Sequence, residues 1–124
     1  DGEYRREAVR KEDFAAFVGT LAARGYVGAN VTVPHKEAAF ALSQPDEQAR
    51  VVGAVNTLWF EDDVLRSTNT DVEGFIGNLD ATAPGWDRDL RTAVVLGAGG
   101  AARAAARGDR RDRAAGRPHD ALAR

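Results

Sequence analysis

Apolar positions along the first hundred residues alternate between helical spacing and short continuous runs. Phe14, Phe17, Val18 and Leu21 fall at i, i+3, i+4 and i+7, the stripe of an amphipathic helix, and Gly25 follows as its C-terminal stop. Ala29 to Val33 reads as a buried strand, and Pro34 suits the first position of a helix that runs through Leu42 and ends before Pro45. A short helix is expected over Asp46 to Arg50. Val55 to Phe60 and Val64 to Ser67 read as strands joined by the acidic turn Glu61-Asp62-Asp63. Thr70 and Glu73 form the capping box T-x-x-E of a further helix, whose stripe is Val72, Phe75, Ile76 and Leu79. Ala81 to Arg88, with Pro84 and Gly85, has the composition of a linker. Thr92 to Leu96 reads as a buried strand, and Gly97-Ala98-Gly99-Gly100-Ala101-Ala102 opens another helix. Strands alternating with helices predict an α/β fold.

The totals narrow this picture. A length of 124 residues fits one domain or parts of two, and 44% apolar residues can supply a core. No apolar run is long enough to cross a membrane and no signal-peptide pattern is present. Cysteine is absent, which excludes a disulfide framework or a thiolate metal site and makes the cytoplasm the expected compartment. Residues 101–124 carry seven Arg against three Asp, so against an overall charge of −2 the first hundred residues sum to −6. An acidic body argues against nucleic acid as a partner. The tail itself, with nine alanines and Leu122 as its one larger aliphatic residue, cannot build a core. It reads as disorder or as the product of a reading-frame change.

Candidate chemistry lies at the strand-to-helix turns. Of 17 basic residues only Lys11 and Lys36 are lysines. Unlike arginine, a lysine can release a proton near neutrality. Lys36 sits at such a turn, where α/β proteins place ligands, although by spacing alone a solvated surface lysine fits it equally well. The helix dipole opposes its charge by only ~1 kcal/mol. A partner such as Asp71, itself favoured in the first turn of the Thr70 helix, would hold it as a cation able to donate a proton to a developing alkoxide. Asn30, Thr32 and Asn56 are polar residues in or beside strands. Each suits either a structural hydrogen bond or a donor to a polyhydroxylated ligand. His35 lacks a second metal-type ligand at i+3 or i+4 and reads as structural. The pattern G-x-G-x-x-A of Gly97, Gly99 and Ala102 after a strand predicts dinucleotide binding. One glycine makes the turn, the next admits the pyrophosphate, and the alanine lets the helix pack closely. The acidic ribose reader expected about 20 positions on has no strand before it.

Four motifs in this order carry a resemblance: Gly28 to Lys36 (GANVTVPHK), Gly53 to Leu58 (GAVNTL), Asn69 to Phe75 (NTDVEGF) and Gly97 to Ala102 (GAGGAA). Over residues 4–106 the chain closely resembles the shikimate dehydrogenase family. The resemblance implies an α/β substrate-binding domain over 1–80 that lacks its N-terminal strand, a linker over 81–90 and the start of a Rossmann-like NADP-binding domain over 91–106. Residues 107–124 are then a disordered or frameshifted tail. It also implies that Lys36 and Asp71 are the catalytic pair, and that Thr32, Lys36, Asn56 and Asp71 bind substrate. Gly97, Ala98, Gly99, Gly100, Ala101 and Ala102 would bind NADP, and no metal would be needed. The family reaction is reduction of 3-dehydroshikimate to shikimate with NADPH, on the route to chorismate and the aromatic amino acids. An NAD-using quinate/shikimate dehydrogenase and a non-catalytic substrate-binding fragment are the alternatives. The family's Ser-x-Ser carboxylate site and its Asn-Arg-Thr reader of the NADP 2′-phosphate are not found, so the chain is expected to be truncated at both ends and inactive by itself. Ser67 stands where the family commonly has glycine.

Overall fold

A computed structural model describes residues 2–89, 92–97, 99–100, 102–103 and 105. A single 3₁₀ turn, Lys11–Asp13, leads into α1 (Phe14–Gly19). Phe14, Val18 and Leu21 are buried and Phe17 half-buried, as the stripe requires. Beyond Gly19 the chain continues in tight turns to Gly25, which has φ +78°. The Gly25 amide donates to Ala22 (3.0 Å) and the Tyr26 amide to Leu21 (3.0 Å), the two bonds of a Schellman stop.

Through Thr82 three further helices and four strands follow: β1 (Gly28–Asn30), α2 (Lys36–Leu42), β2 (Gln44–Pro45), α3 (Glu47–Val52), β3 (Thr57–Glu61), β4 (Val64–Thr68) and α4 (Asp71–Thr82). The sheet order is β1-β3-β4-β2, with β1–β3 and β3–β4 antiparallel and β2–β4 parallel. The fold is thus mixed α/β. Asp62 (φ 50°) and Asp63 (φ 62°) both adopt left-handed backbone, which is what a two-residue hairpin needs to match the twist of its strands. Helix α3 is capped by Asp46, whose carboxylate accepts the Ala49 amide at 2.8 Å, and it ends at left-handed Gly53.

The main core joins α1, α2 and the sheet through Phe14, Val18, Leu21, Val31, Ala39, Ala49, Val55 and Leu58. Val52, Ala54 and Val72 form a smaller cluster under α4. The segment before α1 is tied down by side chains. The Tyr4 hydroxyl donates to Asn30 at 3.2 Å. The Tyr26 hydroxyl donates to Glu7, a bond that holds the Tyr26 phenol above its ordinary pKa.

Five expectations need correction. Pro34 is not the first residue of a helix. It follows a cis Val33–Pro34 peptide inside a turn closed by the His35 amide on the Thr32 carbonyl (2.9 Å), so α2 begins two residues later at Lys36. The Thr70 capping box does not form, because the Thr70 hydroxyl turns to Asn56 instead. Along α4 only Val72 is buried, while Phe75 is 45% exposed, so the predicted stripe is covered at one end only. Residues 92–97 form no strand, and Ala81 and Thr82, expected in the linker, still belong to α4. The Arg- and Ala-rich segment 107–124 lies outside the described residues, as do Ala98 and Ala101.

Gly28 is the tightest glycine. A Cβ there would lie 2.5 Å from the Leu58 carbonyl oxygen and 3.3 Å from Trp59 Cα. Gly28→Ala is expected to force β1 off β3 at a cost of about 1–3 kcal/mol, lowering the melting temperature by roughly 5–20 °C. Gly74→Ala, on open helix surface with nothing within 4 Å, should raise it instead. Thermal unfolding followed by circular dichroism checks both.

Candidate active site

The first residue of α2 and the first residue of α4 meet side by side. Lys36 Nζ donates to Asp71 Oδ2 at 2.7 Å, with the two side chains 19% and 27% exposed. The other carboxylate oxygen, Oδ1, accepts Asn56 Nδ2 at 2.9 Å. Both oxygens of Asp71 are therefore engaged. An ammonium has three donors, and Asp71 occupies one of them, leaving two for a ligand oxygen.

Each of these side chains is positioned from behind. Asn56 lies just before β3, where its amide donates to Thr68 (3.1 Å) and its carbonyl accepts the Val31 amide (2.8 Å). Its side-chain oxygen accepts the Thr57 hydroxyl (2.9 Å) and the Thr70 amide (3.2 Å), fixing the Nδ2 edge toward Asp71. Lys36 is anchored through its own carbonyl, which accepts the Val55 amide at 3.0 Å. His35 stacks on Phe14 with centroids 4.4 Å apart, and its Nε2 meets the Val9 carbonyl at 2.9 Å. That packing is the structural role its sequence context indicated.

Asn69 is the residue that sequence reasoning missed. It is fully buried; its Oδ1 caps the Asp71 amide at 2.9 Å and its Nδ2 donates to the Ala54 carbonyl at 2.8 Å. Its own carbonyl accepts Gln48 Nε2 at 2.7 Å. Asn69 thus does the capping expected of Thr70, and it links α4 to the segment carrying Asn56. The adjacent Thr70-Asp71 pair was the visible signal, since an asparagine just ahead of a helix start is a capping residue in its own right. Ser67 is also fully buried and shares a 2.7 Å hydrogen bond with the Ser43 hydroxyl.

Thr32 stands apart from the pair. Its exposed side chain lines a cavity of about 160 Å³ together with Asn30, His35 and the apolar face of α1, and Lys36, Asn56 and Asp71 do not line that cavity. The glycine turn lies further along. Gly97 has φ +124°, a region side-chain-bearing residues avoid, and a helical turn begins at Gly100. Around Gly99 nothing lies within 4 Å of where a Cβ would be. Positive φ at the first glycine and open space at the second are what a phosphate-binding turn needs. Among the described residues no group of three or more His, Cys, Asp and Glu could hold a metal ion, and no helix is long and apolar enough to cross a membrane.

A small mixed α/β domain with a lysine–aspartate pair braced by two asparagines is the class that fold and site define. The family model of the shikimate dehydrogenase substrate binding domain matches residues 1–58. A shikimate dehydrogenase (NADP(+)) of Rhodopseudomonas palustris strain TIE-1 is 66% identical over 104 residues, covering 84% of this chain and 37% of the relative. Among solved structures, shikimate dehydrogenase 1 of Peptoclostridium difficile superposes with a TM-score of 0.75 at 33% identity, over 83% of this chain and 39% of that one. The Thermus thermophilus shikimate 5-dehydrogenase, solved with NADP(H) and shikimate, gives 0.72 at 36% identity, over 84% of this chain and 39% of that one. Over these matched stretches the chain is similar to shikimate dehydrogenases. It spans a little over a third of the length of these relatives.

Asn69→Ala should remove the α4 cap and strand the Ala54 carbonyl in the interior. The expected cost is about 2–4 kcal/mol, read from the midpoint of urea unfolding. A change below about 0.5 kcal/mol would show that Asn69 is not the brace described.

Proposed function

We propose that this chain carries the substrate side and the proton-donating pair of an NADP-dependent shikimate dehydrogenase. The observation that carries the proposal is the Lys36–Asp71 contact at 2.7 Å with Asn56 on the opposite carboxylate oxygen. In this reading the substrate domain runs through the end of α4 at Thr82, 83–90 is the linker and 91–106 opens the nucleotide domain. The printed names of the relatives support NADP over NAD, and a cysteine-free sequence suits a cytoplasmic enzyme.

In this reading Lys36 is a cation held by Asp71, and it delivers a proton from Nζ to the oxygen of a carbonyl as that oxygen becomes an alkoxide. Positioned acids of this kind contribute about 10²–10⁴-fold. Asp71 fixes the ammonium and, with Asn56, accepts or donates to the hydroxyls of shikimate or 3-dehydroshikimate. Thr32 offers a hydroxyl from the neighbouring turn. Bound at Gly97, Ala98, Gly99, Gly100, Ala101 and Ala102, NADP would supply the hydride chemistry. The backbone of that turn would hold its phosphates, which the open face of Gly99 admits.

Calorimetric titration of the chain with shikimate checks the substrate assignment. Binding is expected, and Lys36→Met, Asn56→Ala and Thr32→Ala should each weaken it by about tenfold, the worth of one charge-assisted or buried hydrogen bond. Equal affinity in wild type and Lys36→Met would overturn the assignment. Tighter binding of quinate than of shikimate would move the substrate to that more hydroxylated, saturated acid.

A further inference from the structure

Arg103, in the helical turn after the glycines, reaches two segments that lead to the site: α2, which begins with Lys36, and the end of α3, ahead of Asn56. Its Nε donates to the Val52 carbonyl at 2.9 Å, and its Nη2 meets Glu37 Oε1 at 2.7 Å. Val52 is the last residue of α3, where helix carbonyls lack intrahelical partners and the dipole favours a cation. Glu37 is the second residue of α2, directly after Lys36, at the end where the dipole favours an anion. One guanidinium therefore spans the negative end of one helix and the acidic first turn of another. Its planar fork can meet two acceptors at once, which an ammonium cannot do in the same geometry.

The backbone makes a second contact beside the first. An ideal Cβ on Gly100 would lie 3.1 Å from the Ala54 Cβ, so the turn approaches the segment running from Gly53 to Asn56 as closely as glycine allows. Ala54 also carries the carbonyl that Asn69 grips. The Arg103 amide bonds back to the Gly99 carbonyl at 3.0 Å, making the arginine part of the same turn that would receive the phosphates. Gly100 and Arg103 are thus seated on α2, α3 and the Asn56 segment at once.

We propose that Arg103 is a positioning residue. It holds the glycine turn at a fixed separation from Lys36, acting through Glu37 on the helix that carries the lysine and through Val52 on the segment that leads to Asn56. This rests on the function proposed above, since it gives Arg103 the task of setting the cofactor side against the proton donor. The glycine turn, by contact with Ala54, sets the direction of approach, and Arg103 sets the distance.

The sequence has no cysteine, so a disulfide can report on the docking without interference. Ala54→Cys with Gly100→Cys places the two Cβ atoms within a few tenths of an ångström of the disulfide range. On mild oxidation of the full chain this pair is expected to close. Adding Arg103→Ala should slow closure about tenfold, as loss of a charge-assisted hydrogen bond implies. Arg103→Lys, which keeps the charge opposite Glu37, should restore part of the rate, a rescue that simple loss of packing would not give. Glu37→Gln leaves the Val52 bond in place and should slow closure about threefold, as expected for an exposed ion pair. The melting temperature is expected to stay within a few degrees in all three. Closure as fast in Arg103→Ala and Glu37→Gln as in their parent, or no closure in the parent, would overturn the proposal. Failure of shikimate to bind would leave these rates unchanged, so the two readings fail separately.

Discussion

The carboxylate of Asp71 is the point on which the arrangement depends, because three distant stretches of chain converge there. Lys36 reaches it across 35 positions and Asn56 across 15. Asp71 opens α4, so its backbone amide is one of the donors a helix leaves without an internal partner, and Asn69 satisfies it. A single residue is thereby clamped at its amide and at both carboxylate oxygens. Removing the carboxylate would leave the ammonium and the Asn56 amide without the acceptor that orients them. The ion pair is only partly buried, so its contribution to stability is modest. Its value is geometric, since two loops and two helix starts are held in one place.

In the function proposed above Lys36 serves as the acid, and its contact with Asp71 fixes the ammonium that would donate. Asn56 adds direction: with its oxygen already taken by Thr57 and Thr70, its NH₂ group is committed to the carboxylate side. The side chains around the pair are therefore preset before any ligand arrives, the condition under which a hydrogen bond or proton transfer costs least reorganisation.

Much of this was visible in the chain itself, for local reasons. The α1 stripe, the glycine stop at Gly25, the acidic hairpin and the positive backbone angle at Gly97 are each decided within a few residues. Lys36 and Asp71 could be singled out by type and helix position, and their contact followed from resemblance. What sequence did not reveal depends on distant partners. Pro34 satisfies a helix start and a turn equally well, and the turn between Thr32 and His35 decided between them. Thr70 carried the right capping pattern, yet the fully buried Asn69 holds the Asp71 amide and the Thr70 hydroxyl turns to Asn56. Thr92 to Leu96 has the composition of a buried strand, but a strand exists only with a ladder partner, and among the described residues none pairs with it. The stripe of α4 likewise specifies an apolar face without specifying what covers it.

The contact of Lys36 with Asp71, and its readiness to meet a ligand oxygen, can be read at the lysine itself. With only two lysines in the chain, nuclear magnetic resonance of ¹⁵Nζ-labelled lysine gives one signal for Lys36 and one for Lys11, assigned with Lys11→Arg. Slow proton exchange is expected at the Lys36 ammonium, with loss of that protection in Asp71→Asn and a shift of the Lys36 signal alone when shikimate is added. Two lysine signals that exchange alike and ignore both the substitution and the ligand would contradict that contact.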